Sequence, residues 1–165
     1  MSPQDQRLVN VMRAHGVVYP QITLRQARLS GLPLHFACAL LEKESGGGNN
    51  EFGHDPVRPP QVVGGPVTLL RYVRYKSLRR RGFGNQGVGC CQLTSTSYQD
   101  RADALGGCHR PGPNMRVGFS AMRALIVAYG PEKGAARYNG SGPRAEAYGH
   151  DFLQKAAVWR IVLAS

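Results

Sequence analysis

The residue best placed by type and position to do chemistry is Glu44, in the segment Ala39-Leu40-Leu41-Glu42-Lys43-Glu44-Ser45-Gly46. On a helical wheel the run Leu34 to Ser45 puts Leu34, Ala37, Cys38 and Leu41 on one apolar stripe, with Glu44 at its edge. Lys43 falls on the opposite side, and Glu42 lies further off the stripe than Glu44. A carboxyl at that position sits half against a core, in the last turn of its helix. Partial burial and the negative end of the helix dipole both disfavour its charged form. A carboxyl that keeps its proton near neutral pH is what a general acid requires. Two further segments carry usable groups. Gly87-Val88-Gly89-Cys90-Cys91-Gln92 combines glycines that let backbone approach a ligand with a glutamine amide that both donates and accepts. The same stretch also reads as a plain turn entering a helix. Tyr138-Asn139, before Gly140-Ser141-Gly142, offers an aromatic face with a polar tip, although Asn-Gly alone is an ordinary helix C-cap. Tyr148 is close enough to Phe152 to be a core aromatic.

These groups need elements to hold them, and the pattern predicts an all-α chain of helices joined by Gly/Pro loops. Arg7 to His15 has apolar residues at helical spacing and stops at Gly16. Thr23 reads as the cap of a helix through Leu29, ended by Ser30-Gly31. Pro33 introduces the Glu44 helix, which the glycines 46 to 48 terminate. Gly46 to Gly65 is a long Gly/Asn/Pro loop, of the kind that in a compact domain is usually either functional or disordered. Thr68 to Arg81 is a basic helix, and Thr96 or Ser97 caps another through Ala104. Asn114 is the expected cap of a helix with Met115, Phe119, Met122, Ile126 and Tyr129 on one stripe. Pro131 to Tyr138 and Pro143 to Leu163 complete the set, leaving Val62-Val63 and Val88 as the only strand candidates. The reading is one catalytic domain over 1–165, with residues 1–22 as an N-terminal helical extension.

In order along the chain, three segments resemble those of goose-type lysozymes and soluble lytic transglycosylases. They are the helix ending in Glu44-Ser45, entered through Ser30-Gly31-Leu32-Pro33-Leu34; the glycine-led segment ending in Gln92-Leu93; and Tyr138-Asn139-Gly140, followed by Tyr148. The likeness spans roughly Arg25 to Phe152. It departs at Cys90-Cys91, where Leu-Met is more usual, and in the longer stretch between Gly46 and Gly87. The resemblance implies a lysozyme-like helical fold with a long active-site loop and cleavage of the β-1,4 bond between N-acetylmuramic acid and N-acetylglucosamine in peptidoglycan. Glu44 would be the acid, and Ser45, Gly89, Gln92, Tyr138, Asn139 and Tyr148 would bind the sugar or hold the acid. It also implies a choice of mechanism. Glycosidases ordinarily use two carboxylates, for which Asp55 is the candidate nearest in sequence and Glu51 and Asp100 are others. Asp55 before Pro56 equally reads as an Asx turn. Lytic transglycosylases need no second carboxylate, because the sugar's C6 hydroxyl attacks and closes a 1,6-anhydro ring.

The chain of 165 residues carries 21 Lys+Arg against 10 Asp+Glu, a formal charge of +11, and only four of the cations are lysine. An apolar share of 42% excludes disorder through low hydrophobicity. The charge calls for a polyanionic partner, and beside the resemblance that partner is peptidoglycan glycan with its anionic wall polymers. Nucleic acid is the rival: residues 70 to 81 interleave tyrosine with arginine as single-strand binders do, but no known nucleic-acid-binding signature is present. A second rival is a cysteine-dependent wall amidase or peptidase, using Cys90 or Cys91 with His109 or His150 as base. No run approaches the roughly 18 apolar residues of a membrane span, so no membrane insertion is expected. Met1 to Gln6 is polar and leads into no signal-peptide core. A phage endolysin, made in the host cytoplasm and released to the wall, or a tail lysin in the virion fits this; a secreted bacterial enzyme is the alternative. Four cysteines in such a chain are expected as free thiols, although Cys108 could pair with Cys90 or Cys91. No metal site, no cofactor and a monomeric state are expected.

Overall fold

The computed structural model describes residues 1–52 and 64–165. Asp55, His54 and the Val62-Val63 pair lie outside the described residues. The fold is all-α, with eight helices among the described residues: α1 Pro3–Ala14, α2 Pro20–Ser30, α3 Leu34–Ser45, α4 Leu69–Arg80, α5 Thr96–Ala104, α6 Pro111–Tyr129, α7 Pro131–Asn139 and α8 Pro143–Ala164. Extended pairing among them is a single antiparallel bridge, Phe52 to Val88.

Five of these helices begin on proline, where a missing N–H costs nothing and φ is already set. That rule overrides two expected caps. Thr23 lies inside α2, buried, with its hydroxyl on the Tyr19 carbonyl at 3.0 Å, because Pro20 starts the helix. Asn114 is likewise interior to α6, which starts at Pro111. The caps of α1 and α4 are conventional: Ser2 accepts from the Asp5 N–H at 3.1 Å and Thr68 from the Arg71 N–H at 3.3 Å.

Helix α3 runs through the middle of the molecule, packed on α8 and α2. Residues 37 to 41 are all fully buried, so the core reaches Ala39 and Leu40 as well as the expected stripe. Around α3 close Met12 of α1, Leu24 of α2, Phe119 and Met122 of α6, and Phe152 and Trp159 of α8. Each large side chain buried this way contributes roughly 1.5–3 kcal/mol. Val9 and Met12 of α1 belong to the same core, and Arg7 donates to the Leu163 carbonyl at 2.9 Å, so α1 is built into the fold. Helix α6 outruns the core at its end, leaving Tyr129 exposed.

Helices α7 and α8 lie close together because Gly149 of α8 admits the α7 backbone; a Cβ there would come within 2.5 Å of the Glu132 carbonyl oxygen. Helix α4 turns Tyr72 and Tyr75 inward. Tyr75 accepts from the Gln86 N–H at 3.0 Å, and buried Gln99 of α5 donates to the Gln86 and Leu93 carbonyls at 2.9 and 2.7 Å. The segment 86–93 is thereby tied to both α4 and α5. It forms one wall of the site.

Candidate active site

The last turn of α3 delivers Glu44 to a cleft of about 600 Å³. Gly46, at φ 59°, ends the helix, and Ser45 anchors its end. The Ser45 side chain is buried, donates to the Cys90 carbonyl at 2.8 Å and accepts from the Gly48 N–H at 3.0 Å. Ser45 therefore does not line the cleft. It clamps the end of α3 to the segment opposite.

That segment is pinned from several sides. Gly89 takes φ 75° with its N–H on the Glu51 carbonyl at 2.7 Å, and a Cβ there would fall 2.2 Å from the Asn114 amide nitrogen. Gly89 is a glycine because Asn114 occupies the space, and it makes no wall of the cleft. Buried Asn114 accepts from the Cys91 N–H at 2.9 Å and donates to the Val88 and Cys108 carbonyls at 2.7 and 3.1 Å. The Tyr138 hydroxyl donates to the Cys91 carbonyl at 2.8 Å. Gln92 follows at φ 45°, the one non-glycine positive φ among the described residues. Its amide donates to the Gly89 carbonyl at 2.9 Å while the side chain lines the cleft. Left-handed backbone at such a residue costs on the order of 1–3 kcal/mol and persists only where the surroundings impose it.

The cleft brings together Glu44, Gln92, Tyr138, Asn139 and Tyr148. Tyr138 presents its ring there but directs its hydroxyl to the Cys91 carbonyl, so of these two tyrosines the one on the Glu44 carboxyl is Tyr148. From α8, Tyr148 donates to Glu44 Oε1. Burial and the neighbouring Glu44 charge hold the Tyr148 phenol well above its ordinary range, so it stays a donor. Lys43, expected to face away, lines the cleft: its ammonium lies 4.6 Å from the Tyr148 ring centroid and pairs with Asp151 at 2.5 Å. Thr94, Ser95, Tyr98 and Arg144 complete the walls and escaped the sequence reading, where only the hydroxyl run Thr94 to Ser97 hinted at a polar surface.

Glu44 is the only carboxylate among the described residues lining the cleft. Glu51 is buried elsewhere, accepting from the Cys90 thiol at 3.1 Å, and Asp100 pairs with Arg79 at 3.0 Å. Neither lines the cleft with Glu44. Asp55 lies outside the described residues. Among those residues no group of three His, Cys, Asp or Glu is arranged to hold a metal ion.

The rival chemistries find little here. All four cysteines are free and buried. Burial first, then the Glu51 charge at Cys90 and the Glu44 charge at Cys91, pushes both thiols well up, away from the thiolate a nucleophile needs. His109 lies tilted against the Tyr72 ring and His150 lies on the surface 3.8 Å from Glu132, so neither is paired with a thiol. Tyr72 and Tyr75, interleaved with arginine in α4, are core residues and present no stacking face. No described helix is long and apolar enough to cross a membrane. No family model, curated protein or solved structure matches the chain.

Proposed function

We propose that this protein is a peptidoglycan-cleaving glycosidase, a lysozyme or lytic transglycosylase acting on the β-1,4 bond between N-acetylmuramic acid and N-acetylglucosamine. One observation carries the reading: Glu44, the one carboxyl among the described residues of the lining, stands half-buried in a polar cleft of about 600 Å³, with the Tyr148 hydroxyl on one oxygen and Gln92, Tyr138 and Asn139 around it. A cleft of this size, lined by amides, hydroxyls and aromatic rings, suits a sugar better than an apolar ligand.

In the reaction Glu44 gives its proton to the glycosidic oxygen as the C1–O bond breaks, and positive charge develops on the sugar ring. The Glu44 carboxylate left behind is held by Tyr148 and then takes a proton from the attacking oxygen. If that oxygen is the sugar's C6 hydroxyl, the product is a 1,6-anhydro ring; if it is water, the product is a reducing end. The +11 charge would hold the protein to anionic wall polymers. Such an enzyme fits the role of a phage endolysin or tail lysin.

Glu44→Gln should abolish release of glycan fragments from purified peptidoglycan while leaving the circular dichroism spectrum and wall binding unchanged. Retained turnover would refute the assignment. Mass spectrometry of wild-type products separates the two mechanisms, since anhydro products are lighter than hydrolytic ones by one water.

A further inference from the structure

We infer that Arg144 is a specificity-determining residue that binds a substrate carboxylate and makes the cleft select acidic, muramyl-type glycan over neutral N-acetylglucosamine polymer. The inference rests on the glycosidase reading and goes beyond it to the substrate's charge.

Among the described residues, two cations line the cleft with Glu44: Lys43 and Arg144. Lys43 is neutralised by Asp151 at 2.5 Å and held over the Tyr148 ring. Arg144 differs. It is exposed and has no ion pair or hydrogen bond among the described residues, so no structural role accounts for it. It also stands in the first turn of α8, where a cation opposes the helix dipole and gains nothing for the fold. When Glu44 carries the proton it needs as an acid, Lys43 and Asp151 cancel, and Arg144 is the uncompensated charge among the described residues of the lining. A neutral glycan offers it no partner. The muramyl sugar does: its lactyl ether ends in a carboxylate, or, where that is amidated, in a stem peptide bearing carboxylates. A guanidinium fork matches a carboxylate bidentately. Gly140 to Gly142 and Pro143 connect Asn139 to Arg144, so sugar-facing and acid-facing groups sit on one turn.

The test compares the full chain with Arg144→Ala and Arg144→Lys on three glycans: stem-bearing peptidoglycan strands, the same strands with stems removed to free the lactyl carboxylate, and a neutral N-acetylglucosamine oligomer. Arg144→Ala should lower the ratio of kcat/KM on muramyl glycan to kcat/KM on the neutral oligomer about tenfold, through KM. Arg144→Lys should recover part of that ratio, since charge returns without the fork. A loss on both muramyl substrates identifies the lactyl group, and a loss on stem-bearing strands alone identifies the stem; either supports the inference. An unchanged ratio overturns it.

Binding separates this from the activity itself. N-acetylmuramic acid and N-acetylglucosamine, neither of which can be cleaved, are titrated into both proteins and followed by NMR. A preference for the acid that disappears in Arg144→Ala supports the carboxylate site even if the wild type cleaves no glycan. The absence of any such preference counts against it whatever the turnover.

Discussion

Among single side chains, Tyr148 and Gln92 have the most separable roles. Tyr148→Phe deletes the hydroxyl that donates to Glu44 Oε1 and leaves the ring under Lys43. A hydrogen bond to a charged group contributes roughly 1.5–3 kcal/mol, so kcat should fall about 10- to 100-fold with KM little changed. Steady-state kinetics on peptidoglycan fragments checks this. Gln92→Gly relieves the left-handed strain but loses the amide bond to the Gly89 carbonyl. These effects offset, so thermal unfolding should move by less than about 1 kcal/mol while turnover falls sharply. The buried thiols make a third case: iodoacetamide on the folded protein should leave activity intact, because Cys90 and Cys91 are held protonated and inaccessible. Rapid inactivation would revive the cysteine mechanism.

The helices are positioned by a few close approaches and polar ties, and each has a cost that can be measured. Gly149→Ala pushes a methyl into the Glu132 carbonyl and forces α7 and α8 apart. The expected loss is about 1–3 kcal/mol of stability, seen in the denaturation midpoint. Because Tyr148 is the adjacent residue, turnover should fall as well. Asp103 ties α5 to α4, accepting from Lys76 at 2.5 Å, the Tyr72 hydroxyl at 3.0 Å and the Cys108 N–H at 2.9 Å. Burial alone would raise its pKa, but these three partners outweigh it and hold the carboxyl below its ordinary 3.8. A carboxyl depressed in this way stabilises the fold above its unfolded value, near pH 4, and that contribution is lost as pH falls through the folded value. Asp103→Asn should therefore destabilise at neutral pH and flatten the decline of stability below about pH 4 in acid titrations followed by circular dichroism.

For the molecule as a whole, charge and fold act on different steps. The excess of 21 cations over 10 anions is a surface property, and attraction to an anionic wall should weaken with salt. As ionic strength rises from about 0.01 to 1 M, the screening length shrinks from roughly 30 to 3 Å. Co-sedimentation with purified walls should drop steeply over that range. Cleavage of a short soluble glycan should decline much less, because the chemistry proposed for Glu44 would depend on contacts within the cleft.

The all-α class, most helix ends and the place of Glu44 in a terminal turn were legible from local signals. Proline sets φ, glycine ends a helix, and a 3.6-residue period marks the buried face; each acts within a few residues. The same local logic misread Thr23 and Asn114 as caps, because the partners of Asn114 lie in residues 88, 91 and 108. It also placed Ser45 and Gly89 at the sugar, whereas both serve the packing of the segment around Cys90 and Cys91. Which tyrosine touches the acid depends on a contact across 104 residues, set by how α8 lies on α3. Lys43 and Arg144 entered the site for the same reason. Neighbours along the chain shape an element, but the company a side chain keeps in the cleft follows from how buried faces pack, and no short pattern encodes that.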